Sequence, residues 1–167
     1  MKDQKIRKLI FSAMLAALVT VATMVVKIPS PTNGYVNLGD CFVLLAGWLL
    51  GPWYGAASAG IGSMLTDLLS GYPYYAPASF LIKGLDAMVA SLLYTSLKPR
   101  RISLPLSGIV GELLMTAGYF GYSALLLGKG LAAALSIPGN LVQGGVGIIV
   151  AILLMHLAKR AHLTEKI

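Results

Sequence analysis

The chain has 167 residues, 57% hydrophobic and only 11% charged, with a mean hydropathy of +0.79 and a net charge of +7. A soluble domain carries about 25% charged residues, so there is too little polar side chain here to coat a water-soluble globule, and the composition points to an integral membrane protein. A helical span takes about 20 apolar residues, so at most about six fit; that leaves no room for a soluble domain or a nucleotide-binding cassette, and residues 1–167 read as one domain.

The predicted elements follow in chain order. A first span runs from about Ile6 to Val26 and ends in the loop Lys27-Ile28-Pro29-Ser30-Pro31-Thr32-Asn33-Gly34, marked by its Pro, Asn and Gly content. The apolar run Leu9 to Val26 is too long for the core of a cleavable signal peptide and lacks a clear small-residue cleavage site, so it reads as a span. A shorter apolar run covers about Leu38 to Leu50 and is broken tightly by Gly51-Pro52. The third run, Trp53 to Leu69, is rich in Gly, Ala and Ser, and the loop Gly71 to Pro77 after it holds three tyrosines. The fourth span, Ala78 to Leu97, stops at Lys98-Pro99-Arg100-Arg101; the fifth covers Leu104 to Leu127; Gly128-Lys129-Gly130 turns the chain. The last run, Leu131 to Leu157, contains Pro138-Gly139, where a short helix or loop can precede the final span.

The basic residues sit at span ends and therefore report topology rather than nucleic-acid binding. Ten of them (Lys2, Lys5, Arg7, Lys8, Lys98, Arg100, Arg101, Lys159, Arg160, Lys166) fall on one side of a six-span arrangement and two (Lys27, Lys129) on the other. The expected fold is thus an all-α integral membrane protein, a six-transmembrane-helix bundle with N and C termini cytoplasmic. Cys41 is the only cysteine, which excludes an intrachain disulfide or a cysteine metal cluster.

Asp40, Asp67, Lys83, Asp86 and Glu112 lie inside these apolar segments. A charge at the bilayer centre costs roughly 2.5–3.5 kcal/mol on insertion scales, so such residues mark a functional site by default. In the six-span topology Asn37, Asp40, Asp67, Lys83, Tyr119, Tyr122, Asn140 and Gln143 converge on the outer half of the bundle, with Asp86 and Glu112 nearer the midplane. That pattern predicts a polar cavity opening outward beneath the Pro-rich first loop and the tyrosines Tyr72, Tyr74 and Tyr75. Aromatic faces with a few hydrogen-bonding groups suit a small, flat, polar molecule.

Each residue also has a plainer reading. Lys83 can pair with Asp67 or Asp40 to neutralise buried charge, or with Asp86 at i, i+3 on its own helix. Glu112 can bond a neighbouring helix, the tyrosines can form an interfacial belt, and Asn140 and Gln143 can join helices. Ala13 and Ala17, four apart, form a small-residue face suited to close helix approach, either within this bundle or against another protein. There is no HExxH, GxSxG or phosphate-binding loop, and nothing here binds or hydrolyses ATP. A membrane enzyme would place Asp67, Asp86 and Glu112 close enough to share a metal or a proton, which their spread over three helices disfavours; the absence of an inverted repeat disfavours a solitary secondary transporter. A structural membrane protein with buried charges as packing devices is the remaining alternative.

The ordered motifs Gly34-Tyr35-Val36-Asn37-Leu38-Gly39-Asp40, Gly51-Pro52-Trp53-Tyr54-Gly55, Asp67-Leu68-Leu69-Ser70-Gly71-Tyr72, Tyr75-Ala76-Pro77-Ala78 and Lys83-Gly84 resemble the substrate-binding S components of energy-coupling factor (ECF) vitamin transporters, in the branch for riboflavin-type, hydroxymethylpyrimidine or pyridoxine-related substrates. The resemblance covers essentially the whole chain. It implies a multi-pass protein of the bacterial plasma membrane that captures a vitamin or precursor from outside. A coupling transmembrane subunit and two cytoplasmic ATPases supply the energy, and the S component topples in the membrane to deliver its cargo. It implies no cofactor and no catalysis. It implies ligand contacts from Asn37, Lys83, Tyr119, Asn140 and Gln143, with Asp40, Asp67, Tyr75 and Glu112 as further candidates, and docking of the coupling subunit at Ala13 and Ala17. Pyridoxine-like and hydroxymethylpyrimidine-like ligands rank first and riboflavin third.

Overall fold

The computed structural model describes residues 2–30 and 34–165. Pro31, Thr32 and Asn33 of the first loop and Lys166 of the basic tally lie outside the described residues. Six α-helices follow in order: α1 Lys2–Val25, α2 Gly39–Leu50, α3 Pro52–Leu69, α4 Ala76–Leu97, α5 Ser103–Gly121 and α6 Ile137–Arg160. One feature departs from the all-α expectation: Lys27–Ser30 (β1) and Gly34–Asn37 (β2) pair as an antiparallel hairpin, Lys27 opposite Asn37 and Ser30 opposite Gly34. The hairpin satisfies backbone groups that an open loop would leave exposed at the bundle end.

Four stretches are long and apolar enough to cross a bilayer on their own: Gln4–Val25, Ala76–Leu97, Ser103–Leu126 and Gly130–Arg160. The remaining two helices are less independent. At 1.5 Å per residue the 12-residue α2 reaches about 18 Å, short of the ~30 Å hydrocarbon core, and α3 depends on its neighbours for cover. Gly51 takes φ +84° between α2 and α3 and Pro52 starts α3, the tight break expected from Gly-Pro. Pro138 sits in the first turn of α6 after a 3₁₀ segment, Gly130–Ser136, where its missing N–H costs nothing.

Small residues set the helix spacing. A Cβ on Gly62 would come within 2.5 Å of the Ala16 carbonyl oxygen, and one on Gly47 within 2.3 Å of the Ala87 carbonyl oxygen, so α1 meets α3, and α2 meets α4, backbone to backbone. Thr20 Oγ1 donates to the Gly62 carbonyl at 3.0 Å across the α1–α3 contact. The apolar core around Leu44, Leu45, Trp48, Tyr94, Leu104 and Met155 fills the half of the bundle near the chain termini. There Trp48 Nε1 donates to Ser107 Oγ at 3.1 Å, and Lys98 and Lys159 lie over the Tyr94 ring at 4.0 and 5.9 Å. The other half, at the hairpin end, holds the polar groups.

Candidate binding site

At the hairpin end four side chains from α2, α4, α6 and β2 form one connected network. Asn37 ends β2 and caps the next helix, its Oδ1 accepting the Gly39 N–H at 2.8 Å. Its own backbone N–H and Nδ2 both donate to Gln143 Oε1, at 2.9 and 3.1 Å. Gln143 in turn donates from Nε2 to Asp40 Oδ2 at 2.7 Å, and Lys83 Nζ donates to Asp40 Oδ1. Asp40, Lys83 and Gln143 are all at least 95% buried. Every carboxylate oxygen of Asp40 and every amide atom class of Gln143 is thereby used, as a buried polar group requires.

Lys83 therefore takes Asp40 as its ion-pair partner, not Asp67, and the intrahelical pair with Asp86 does not form. An ammonium has three donors, and this bond to Asp40 is the one hydrogen bond of Lys83 among the described residues. Its Nζ also lies 5.7 Å from the centre of the Tyr119 ring. Tyr119 shares a 2.7 Å hydrogen bond with Ser79. Asp67 is buried one turn from the end of α3, on the same side of the bundle as Tyr119. Asn140 is half-buried one turn before Gln143, and no side-chain hydrogen bond joins it to a described residue.

The tyrosine-rich turn closes over this end. Tyr75 stands 6.4 Å from Tyr119 and 5.6 Å from Tyr122, ring centre to ring centre, and 5.0 Å from Tyr74. Beyond α5 the chain makes a π-helical turn, Tyr122–Leu126, a device that re-aims side chains and recurs at functional sites. It brings Ser123 Oγ to 3.0 Å from the Tyr75 hydroxyl and lets the Tyr122 hydroxyl donate to the Tyr74 carbonyl. Lys129 Nζ donates to the Tyr75 hydroxyl at 3.4 Å. Tyr75 and Tyr122 are thus bound into a roof, while Tyr74 stays exposed beside it.

Deeper in the bundle Asp86 is fully buried and Glu112 is 4% exposed. Asp86 Oδ1 packs against Gly111, where a Cβ would come within 2.3 Å, and Glu112 Oε2 packs against Gly144, where a Cβ would come within 3.0 Å. Among the described residues no donor reaches any of these four carboxyl oxygens, nor Thr116 Oγ1; the Glu112 carboxyl stands against that of Asp40, within reach of a hydrogen bond when one of the two carries a proton. Ser79, Thr116 and Ser123 join the site without a signal in the sequence. A shallow apolar groove of about 350 Å³, lined by Leu81, Ile82, Gly118, Tyr122 and Leu125, lies on the lipid-facing side of α4 and α5 and holds none of the buried charges.

A second surface lies on α1. Leu15, Val19 and Thr23 are buried against the bundle and Ala16 meets Gly62, whereas Ala13 and Ala17 are exposed. The small-residue face thus points away from this protein's own helices.

Residues 3–160 match the family of the ECF-type riboflavin transporter S component. The chain belongs to that family. It is an integral protein of the plasma membrane and a transporter subunit rather than an enzyme, and membership implies association with an energy-coupling module. Among its relatives, the thiamine precursor transporter HmpT of Lactococcus lactis subsp. cremoris is 31% identical over 162 residues, covering 96% of this chain and 92% of HmpT. An uncharacterised protein of Pyrococcus woesei is 33% identical over 139 residues, covering 78% of this chain and 93% of that protein. A solved structure of the S component of a bacterial ECF transporter superimposes with a TM-score of 0.73 at 27% identity, over 93% of this chain and 97% of that one.

Proposed function

We propose that residues 1–167 act as one six-helix capture subunit, with both termini cytoplasmic, that takes a hydroxymethylpyrimidine-like thiamine precursor from outside the cell for ATP-driven uptake. The observation that carries this reading is the buried network Asn37–Gln143–Asp40–Lys83 beside Tyr119 and under the Tyr75–Tyr122 roof, in a chain of the S-component family. The aromatic roof offers stacking surface, and Lys83 keeps donors to spare for a ring nitrogen or hydroxyl. Asn37, Gln143 and Asp40, being satisfied by one another, hold Lys83 in place and shape the wall; Asp67, Asn140, Tyr75 and Tyr119 line the approach. The likeness to HmpT favours a thiamine precursor over a pyridoxine-like ligand. Riboflavin is the second reading, favoured by the description of the matching family.

Ala13 and Ala17 form the face on which the coupling transmembrane subunit docks, and through it the two ATPases. Uptake of labelled hydroxymethylpyrimidine by cells carrying this chain with an energy-coupling module tests the assignment. Uptake that needs the ATPases supports it, and uptake without them would make the chain a solitary transporter.

A further inference from the structure

Among the described residues, both carboxyl oxygens of Asp86, both of Glu112, and Thr116 Oγ1 are buried deep in the bundle and accept from no donor of the chain. An unsatisfied buried polar group costs roughly as much as a lost hydrogen bond, and more for a charged one, so each calls for an explanation. These five are neighbours. On α5, Glu112, Thr116 and Tyr119 fall at i, i+4 and i+7 and share a face. Ser79 meets Tyr119 and Asp86 meets Gly111, which sets Thr116 level with Lys83 on the facing helix. Glu112 and Asp40 meet the same face of α6, at Gly144 and Gly147, and the charges of Asp40, Asp86 and Lys83 act on the Glu112 carboxyl. Glycines on the facing helices admit these carboxyls, since a Cβ on Gly111 or Gly144 would strike Asp86 Oδ1 or Glu112 Oε2. Among the described residues no three acidic, histidine or cysteine side chains are placed to hold a metal ion.

We infer that Asp86, Glu112 and Thr116 form the inner end of the ligand site and set its specificity by receiving the amino-substituted edge of a nitrogen heteroaromatic ring. This rests on the capture-subunit reading above and adds to it the part of the ligand that is read. Four acceptor oxygens with no donor from the chain call for a donor-only group. The amine of an aminopyrimidine is one, because its lone pair is delocalised into the ring, whereas hydroxyls also present lone pairs to the carboxyls. A carboxylate accepts from the exocyclic amine and, once the adjacent ring nitrogen carries a proton, from that N–H as well, through two parallel hydrogen bonds, the bidentate geometry that gives charge-assisted recognition its specificity. A ligand passing Tyr75 and Tyr119 reaches Lys83 first and these carboxyls last.

The test compares the affinity of the detergent-purified chain, by calorimetry, for a hydroxymethyl-aminopyrimidine and for the same ring lacking the amine. A site built to bond an N–H rejects the analogue that lacks it, so the amino compound should bind at least about tenfold tighter. Glu112→Met and Asp86→Asn should each shrink that ratio towards one, whereas a structural role would weaken both ligands alike. If Glu112→Met does not fold, Glu112→Gln and Thr116→Val give the same reading. Equal affinity of the unaltered chain for the two rings overturns the inference, as does a ratio unmoved in the carboxyl variants. Tight binding of riboflavin with neither pyrimidine bound overturns it too while leaving the capture-subunit reading intact; no binding of any vitamin overturns both.

Discussion

Gln143 on α6 donates to Asp40 on α2 at 2.7 Å, and the other oxygen of that carboxylate holds Lys83 on α4. A single buried carboxylate therefore fastens three helices, and the position of the ammonium under Tyr119 depends on it.

Removing one partner of a buried ion pair strands the other, at a cost of about 3–5 kcal/mol, whereas replacing both with apolar groups is near neutral. Lys83→Met should therefore lower the melting temperature in detergent sharply, and the double substitution Asp40→Leu with Lys83→Met should recover part of that loss, the remainder being the acceptor that Gln143 Nε2 loses. A double variant as unstable as the sum of the singles would show that Asp40 and Lys83 stabilise the bundle independently.

Gly111 leaves room for Asp86, since a Cβ there would lie 2.3 Å from Asp86 Oδ1. Gly111→Ala should destabilise by about 1–3 kcal/mol, the usual cost of overpacking, and Asp86→Ala in the same chain should relieve it. Thermal unfolding of the two single variants and the double reads this coupling directly; additive effects would contradict the contact.

Ala13 and Ala17 are exposed while Leu15 and Val19 on the same helix are buried. Ala13→Trp or Ala17→Trp should abolish uptake and leave ligand binding by the isolated chain within about twofold of its unaltered value, because a residue outside the bundle core rarely moves stability beyond ~0.5 kcal/mol. Retained uptake would remove this face as the docking surface.

Much of the buried network was legible from the cost of burying charge and polar groups. Asp40, Lys83 and Gln143 stood out because each sits in an apolar segment, and the basic residues placed them at one end of the bundle. The partner of Lys83 was not legible, because Asp40 and Asp67 lie at similar depths and only helix azimuth separates them. Ser79, Thr116 and Ser123 carried no signal, since hydroxyls in apolar helices commonly bond back to their own backbone, as Thr66 and Thr95 do here. The hairpin was hidden by Pro29, which argues against a strand, and its pairing at a sheet with only two edges removes that objection. For Ala13 and Ala17 the spacing defined a shared face, but which way it points depends on Gly62 accepting Ala16.

Capture of an aminopyrimidine thiamine precursor is the proposed task of this chain. Native mass spectrometry of the detergent-purified protein, followed by denaturing extraction and identification of whatever it retains, tests that most directly. A hydroxymethyl-aminopyrimidine bound in equimolar amount is the expected result. Recovery of riboflavin or a pyridoxine form would contradict the assigned ligand, and recovery of nothing, with no thermal shift across a vitamin panel, would contradict the capture function itself.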